Sequence, residues 1–248
     1  MATVLAALAG SAGAAAAQPV DEPGGQAGFA TYVDQQDTVI YSPHAGAGAR
    51  VPGDVRVDVG WKADVISSAS VDVISAATSR MTETRHELGV RARRDDLAAD
   101  LDVDAGYTYS FENDSDSHTV QAGAVRSLAA DNWQVGLRYG LSFNRMGVNG
   151  EPHATWRRLL AHSADLTVTR LLGARTLAEV GLSLYYLDGY QASPYRQVPI
   201  LAGPDLVGAR WVDERVPEHR LRYALVGRGR RTLGARWVGA AEYRVYVD

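Results

Sequence analysis

The sequence predicts an all-β fold, an antiparallel up-and-down transmembrane β-barrel with about eleven strands in this chain. The first observation is the segment from Val55 to Val65, in which valines, Trp61 and Ala63 alternate with charged residues. Successive side chains of a strand point to opposite sides, so this strand has one apolar and one charged face. The second observation is that short and long connections alternate between the predicted strands, a pattern typical of outer-membrane barrels and not required in a soluble sandwich.

The same alternation recurs along the chain and defines each strand in order. The apolar rows of 101–111 and 133–144 carry aromatic residues at their ends, as expected where a strand meets a membrane interface. A tilted strand needs about 9 to 11 residues to cross the hydrocarbon, which these segments supply. Strands are predicted at 29–33, 39–51, 55–65, 85–93, 101–111, 118–125, 133–144, 159–171, 176–187, 219–229 and 236–247.

The connections assign the two ends of the barrel. Short turns are predicted at 52–54, 94–100, 127–132, 173–175 and 232–235. The other end has a moderate connection at 112–117 and long loops at 67–84, 145–158 and 188–218. Bacterial barrels place short turns in the periplasm and long loops outside, so we expect this sidedness.

Three regions are predicted along the chain. Residues 1–17 are apolar and end in Ala15-Ala16-Ala17, which predicts a signal peptide, although the segment lacks the usual basic start; an Ala-rich helix is the alternative. Residues 18–28 are expected to be a flexible segment, and 29–248 the outer-membrane barrel domain. Single-chain bacterial barrels have an even strand number, so an odd count predicts that the domain is C-terminally truncated and that the natural barrel has about twelve strands or more.

Composition excludes several classes of protein. The net charge is −4, and the 25 basic residues, all Arg except Lys62, are dispersed, whereas nucleic-acid binding needs a basic patch. The chain has no cysteine, which excludes disulfides and thiolate chemistry. After the leader no apolar stretch is long enough for a transmembrane helix, and a mean hydropathy of −0.17 is compatible with a barrel, whose residues are half polar.

The alternation also assigns candidate functional residues. The charged residues on the polar side of the strands are predicted to line the barrel lumen, as ion pairs or as the wall of a narrow pore. These lumen-lining residues are Arg56, Asp58, Lys62, Asp64, Glu87, Arg91, Arg93, Asp102, Asp104, Arg138, Asp165, Glu179 and Arg244. The loop 188–218, with Tyr190, Tyr195 and Trp211, is predicted to be extracellular and either a plug, a binding surface or a passive lid.

Candidate metal and catalytic groups have weak patterns. Asp64, Asp72, His86 and Glu87 surround the first long loop but match no metal motif, and we expect such lumen acids to pair with Arg91 and Arg93 instead. The acids of 112–118 lack the glycine and closing glutamate of a calcium loop and fit a hairpin tip. No serine has a nucleophile-elbow context; the candidates by residue type are Ser67, Ser68, His86, His118, His162 and Ser163. No catalytic residue, metal or cofactor is therefore predicted.

Three segments resemble a known family. They are 64–78 with 83–87, then 109–118 (Tyr-Ser-Phe-Glu-Asn-Asp-Ser-Asp-Ser-His), and 242–246 (Glu-Tyr-Arg-Val-Tyr). The chain after Asp37 resembles the exported bacterial proteins called domain of unknown function 3570. The resemblance implies an outer-membrane β-barrel, a longer C-terminus and no established activity or catalytic residues.

The leading hypothesis is an outer-membrane barrel of a Gram-negative bacterium with a polar lumen and a transport or structural role. The alternatives are a surface enzyme or adhesin that acts through the long loops, and a soluble periplasmic barrel. Expected partners are outer-membrane lipid and, during biogenesis, periplasmic chaperones and the barrel-assembly machinery. Nucleic acid is not expected as a partner, and the sequence leaves the oligomeric state open.

Overall fold

The computed structural model describes residues 23–33, 39–68, 81–98, 100–195, 197–201 and 209–248. The predicted leader and Asp72 lie outside these residues. Within the described residues the chain forms thirteen strands and one 3-10 turn, His153–Thr155. The strands are β1 Gly24–Val33, β2 Val39–Val51, β3 Val55–Ser68, β4 Met81–Arg94, β5 Leu101–Phe111, β6 Ser115–Leu128, β7 Trp133–Met146, β8 Arg157–Gly173, β9 Thr176–Gly189, β10 Gln197–Leu201, β11 Ala209–Asp213, β12 His219–Thr232 and β13 Val238–Val247.

Eleven of the described strands form one antiparallel sheet in which strands that follow each other along the chain pair, except that β9 pairs with β12. The order runs from β1 to β9 and continues with β12 and β13, while β10 and β11 form a separate two-stranded hairpin. The predicted all-β, up-and-down arrangement with eleven strands is therefore confirmed. Within the described residues β1 and β13 are the two edges of the sheet and do not pair with each other.

Most strand ends are shifted by a few residues from the sequence prediction, and three differences are larger. β1 begins at Gly24, inside the segment expected to be flexible, because its glycines and small residues pair along β2 down to Gly24 with Gly48. β4 begins at Met81, ahead of the predicted Arg85, because β3 offers a partner as far as Ser68. The predicted loop 188–218 contains the β10–β11 hairpin, whose five-residue strands are too short to produce a clear alternation.

The connections define two ends of the sheet, and short and long ones alternate except at 112–114, where β6 begins at Ser115 and shortens the connection predicted at 112–117. The short-turn end carries the connections 52–54, 95–100, 129–132, 174–175 and 233–237. The long-loop end carries 112–114, 147–156 and 190–218, together with the segments that join β1 to β2 and β3 to β4. In the first short turn Gly53 and Asp54 have φ of 89° and 62°, a left-handed conformation that a tight hairpin turn requires.

The two faces of the sheet differ in polarity and exposure. The apolar face, which carries Val59, Leu137 and Val180, exposes these side chains by 51%, 57% and 53%. The polar face is the more enclosed one, since Arg56 is only 9% exposed there. No described helix has the length and apolar character needed to cross a membrane. The fold is therefore inverted relative to a water-soluble sheet protein, in which the apolar face is the covered one.

Candidate functional site

The predicted lumen residues all lie on the polar face. The register pairs Arg56 with Arg93, Asp58 with Arg91, and Lys62 with Glu87, so these residues share one side of the sheet. Arg93 pairs with Asp104, and Asp104 connects through Gly123 to Arg138, which pairs with Asp165. The register places four further predicted residues on the same side of the sheet, namely Asp64, Asp102, Glu179 and Arg244. The strand register therefore brings the charged residues together on one enclosed face.

Asp104 is the shared partner of two arginines on this face. Its carboxylate accepts hydrogen bonds from Nη2 of Arg91 at 2.9 Å and from Nη2 of Arg138 at 3.0 Å. The Asp104 side chain is 12% exposed. Arg138 lies two strands away, and the contact passes over Gly123, where a Cβ atom would be 2.8 Å from Asp104 Oδ1. The absence of a side chain at Gly123 therefore allows the carboxylate to join three strands.

Other ion pairs lie on the same polar face of the sheet. Arg228 binds Glu179 at 2.6 Å and Glu242 at 2.7 Å, which links β9, β12 and β13. Asp64 accepts hydrogen bonds from Lys62 and from the Ser42 hydroxyl, at 2.9 and 2.5 Å. These pairs run between neighbouring strands or along one strand, so they lie along the sheet surface.

One pairing expectation is wrong. The acids near the first long loop were expected to pair with Arg91 and Arg93, but Arg91 binds Asp104, and Arg93 binds Asp95 at 2.5 Å and Asp102 at 3.4 Å. The reason is the register, because the β4–β5 pairing places the acids of β5 closer to these arginines than the acids at the other end of β3 and β4.

A polar cleft of about 310 Å³ opens on the polar face near the long-loop end. Arg85, Glu87, Thr108 and Ser117 contribute to its wall, with Arg145 at one side. Arg145 binds the buried Asp116 in a bidentate pair, with Nη2 to Oδ2 at 2.6 Å. The cleft is bordered by cations and acids together, which suits a water-filled recess more than a site for an apolar ligand.

Three carboxylates meet beside this cleft, beyond the last β4–β5 pair of His86 with Phe111. One oxygen each of Glu83, Glu112 and Asp114 lies within 4.8 Å of the others. Burial, together with a hydrogen bond from the protonated Glu83 carboxyl to Glu112 and the negative charge of Asp114, raises the pKa of Glu83 to about 8. Sequence reasoning missed Glu83 and Asp114 as a group because they come from different strand ends that only the tertiary fold brings together.

The loop 190–218 is attached to its neighbours by specific hydrogen bonds. The Tyr190 N–H donates to the carbonyl of Arg158 at 2.9 Å, and the Tyr195 hydroxyl accepts from the Asn149 N–H at 2.8 Å. Burial and a hydrogen bond with Asp114 raise the pKa of Tyr195 to about 12. Trp211, in β11, remains 60% exposed. The loop thus docks on the long-loop end and keeps part of its aromatic surface free.

Among the described residues, the acids and the histidine near the first long loop do not converge on one side of the sheet. Asp64 and Glu87 lie on the polar face, whereas His86 lies on the apolar face, stacked on Phe111 with ring centroids 5.2 Å apart. The histidines weighed as catalytic bases also face the apolar side. Nδ1 of His118 lies 2.6 Å from the Tyr107 hydroxyl. Ser163 is adjacent to His162 in sequence and therefore points to the opposite face.

These histidine and tyrosine contacts form a belt on the apolar face near the long-loop end. The Tyr139 hydroxyl lies 2.6 Å from Nδ1 of His162, in the same diagonal arrangement as Tyr107 and His118 on the neighbouring hairpin. Tyr186 and His219 repeat it at 3.4 Å. Rings with a polar edge are typical of the level where a membrane surface meets water.

The fold and its two faces define the chain as an up-and-down antiparallel β-sheet protein with an enclosed charged face and an exposed apolar face. Residues 160–248 match the family model described as "Protein of unknown function (DUF3570)". The predicted family is therefore confirmed on this segment, which contains the motif at 242–246, whereas the motifs at 64–87 and 109–118 precede it. No curated protein matches the chain.

Proposed function

We propose that the chain forms the wall of a transmembrane β-barrel in the outer membrane of a Gram-negative bacterium, with the charged face lining the lumen. The observation that carries the proposal is the exposed apolar face. Side chains such as Leu137, Val59 and Val180 are more than half exposed, although burying each would stabilise a soluble protein by about 1.5–3 kcal/mol. Lipid supplies the missing apolar environment, and closure of the sheet satisfies its edges in lipid.

The polar face supports a transport or structural role for this barrel. Its ion pairs neutralise each other in place, so the lumen holds water and both signs of charge. Lipid is the partner of the outer surface, and the periplasmic chaperones and assembly machinery that insert outer-membrane barrels are the partners in biogenesis. The long-loop end faces the cell exterior under this assignment.

Insertion and conduction are tested in that order. The full-length protein is first reconstituted into phospholipid vesicles; a folded band that resists urea extraction and needs detergent for release supports the barrel, while a folded water-soluble protein contradicts it. Single-channel recordings in planar bilayers then separate the roles. Discrete ohmic steps support a polar pore, whereas an inserted but electrically silent protein supports a structural barrel.

A second role, surface binding by the external loops, is favoured by the β10–β11 hairpin. Val198, Ile200 and Trp211 expose 38%, 52% and 60% of their surface at the end assigned to the cell exterior. Tyr195 hydrogen-bonds to Asn149 just before the hairpin, and the pairing of β10 with β11 fixes the two strands that carry these apolar side chains. Deletion of 190–211 should abolish adhesion or surface activity under this role, while leaving conductance and insertion intact.

A further inference from the structure

Four arginines interrupt the apolar face near the short-turn end. We propose that they form a ring that binds the phosphates of an anionic phospholipid leaflet. The inference rests on the proposed membrane-embedded barrel and adds the lipid class that its outer surface selects. The ring consists of Arg94 in β4, Arg126 in β6, Arg170 in β8 and Arg231 in β12.

The register places the four arginines on one face. Following the pairs from Arg94 through β5 leads to Ala124, two residues before Arg126. The same walk from Arg126 leads to Val168, two residues before Arg170, and from Arg170 to Gly229, two residues before Arg231. Each arginine is therefore displaced by the same two residues toward the short-turn end for every two strands crossed.

This constant displacement makes the row level in a tilted barrel. Two strands span about 9.6 Å across the sheet and two residues span about 6.6 Å along a strand, which gives an angle of about 35°. Strands of outer-membrane barrels tilt by about 35–45°. A row that climbs the sheet at the tilt angle lies perpendicular to the barrel axis, and hence parallel to the membrane plane.

A second row marks the opposite boundary of the apolar band. Each of the four arginines has a histidine or tyrosine eight residues before it on the same strand and face. His86 precedes Arg94, His118 precedes Arg126, His162 precedes Arg170, and Tyr223 precedes Arg231. Eight residues cover about 27 Å along a strand, or about 22 Å along the membrane normal at this tilt, close to the roughly 25 Å band of known barrels. Between the two rows in β4 to β9 and β12, the apolar face carries no charged residue. The arginines thus sit at the depth of the phosphates.

The ring has no competing carboxylate on its face. Within the described residues none of the four arginines forms a salt bridge, and Arg126 and Arg231 are exposed. The guanidinium of Arg170 stacks 4.5 Å above the Trp133 ring, which orients it at the band edge. Guanidinium groups bind phosphate oxygens in a bidentate manner, so phosphates fit this row better than another charged partner does.

Acids also occur at this end of the sheet, but in the turns. Asp54 and Asp95 are paired with Arg50 and Arg93. Asp131, in the turn after β6, lies past Leu128, which is itself beyond the ring. The turn acids are therefore further from the apolar band than the ring, and the first charges that a lipid headgroup meets are the arginines.

The test uses the full-length protein and vesicles of phosphatidylcholine with or without phosphatidylglycerol. The ring variant R126Q/R231Q removes two exposed arginines from the apolar face. The matched control R230Q/R244Q removes the same charge from the polar face, at the residue next to Arg231 and at another arginine without a carboxylate partner among the described residues. The folding equilibrium in each vesicle is measured by urea titration.

Phosphatidylglycerol should favour folding of the wild type and of the control. The ring variant should lose about thirtyfold of this preference, since each arginine at an anionic surface contributes about fivefold. R126K/R231K, which keeps the charges, should retain most of the preference and checks that loss in the glutamine variant is not misfolding. Equal preference in ring and control variants, or no lipid preference in the wild type, overturns the ring while the barrel stands. Failure of the wild type to insert into either vesicle overturns the barrel itself.

Discussion

Replacing Asp104 by Asn tests whether the ion pairs of the polar face stabilise the sheet. Asp104 accepts hydrogen bonds from Arg91 and Arg138 and joins β4, β5 and β7. The asparagine keeps the shape and one acceptor oxygen but removes the charge. It therefore leaves Arg91 and Arg138 as two neighbouring cations without their shared counterion.

The expected loss of unfolding free energy depends on how exposed the two arginine side chains are. A hydrogen bond to a charged group contributes about 1.5–3 kcal/mol when well formed, and Asp104 makes such bonds to two arginines. Arg91 and Arg138 are 36% and 40% exposed, so water screens each pair toward the value of a surface salt bridge. We expect the free energy of unfolding to fall by about 1–3 kcal/mol, between the surface and the buried limits.

The assay is urea unfolding of the vesicle-inserted protein, followed by tryptophan fluorescence. Asp102→Asn is the matched control, because Asp102 is on the same strand and face but is 35% exposed, and its carboxylate contacts one arginine, Arg93 at 3.4 Å, and accepts a hydrogen bond from the Asp96 N–H at 3.1 Å. The control should change the unfolding free energy by about 0.5 kcal/mol or less. Adding R138Q to the Asp104 variant should recover part of the loss, since it removes one of the two uncompensated cations. Equal effects at Asp104 and Asp102, or strict additivity of the double variant, would refute the shared-counterion reasoning.

The remaining predictions concern the long-loop end and the backbone. Between pH 4.5 and about 8 the folded state retains the proton of Glu83 that the unfolded chain releases, so stability should fall as the pH rises, and E83Q should flatten this decline in urea midpoints. Gly189→Ala should be strongly destabilising, because φ is 116° and a Cβ would lie 2.4 Å from a backbone oxygen; Gly227→Ala, with open space, should be neutral, and a comparable loss at both sites would contradict this. Tyr195→Phe removes the acceptor of the Asn149 N–H, so limited proteolysis should cut the loop faster at an unchanged unfolding midpoint; an unchanged cleavage rate would mean that other contacts hold the loop.

The sequence predicts most of the sheet because its signal is local. In β3 every second residue from Val55 is apolar, and the predicted strand differs from the observed one only at its end, Ser68. The start of β4 was missed because Met81 to Thr84 have no alternation of their own and form a strand only through pairing with β3. The hairpin of 197–213 was missed for a similar reason, since Pro199 lies in one of its short strands and weakens the local signal.

For the candidate residues, too, the local sequence pattern predicts one part of the structure, the face of the sheet, and the strand register decides the rest. The alternation of side chains along each strand predicts that Arg56, Asp104 and Arg138 share a face, and the structure places them so. The alternation does not predict which charged side chains form ion pairs, because that depends on how far each strand is displaced along its neighbour. The Asp104 to Arg138 contact needs the register across β6 and a glycine at 123, information that is distributed over three strands.

The course of the ion pairs bears on whether the lumen is open. A plugged interior needs side chains that cross from one wall to the opposite one, whereas the pairs of Asp104 and Arg228 reach only adjacent or next-adjacent strands. Gly123 keeps the Asp104 network flat against the sheet, since any side chain there would lift the carboxylate away from Arg138. In the proposed barrel, charges that are neutralised along the sheet would leave the centre of the lumen free for water. Under that proposal we expect an open pore of weak charge selectivity rather than an interior packed with ion pairs.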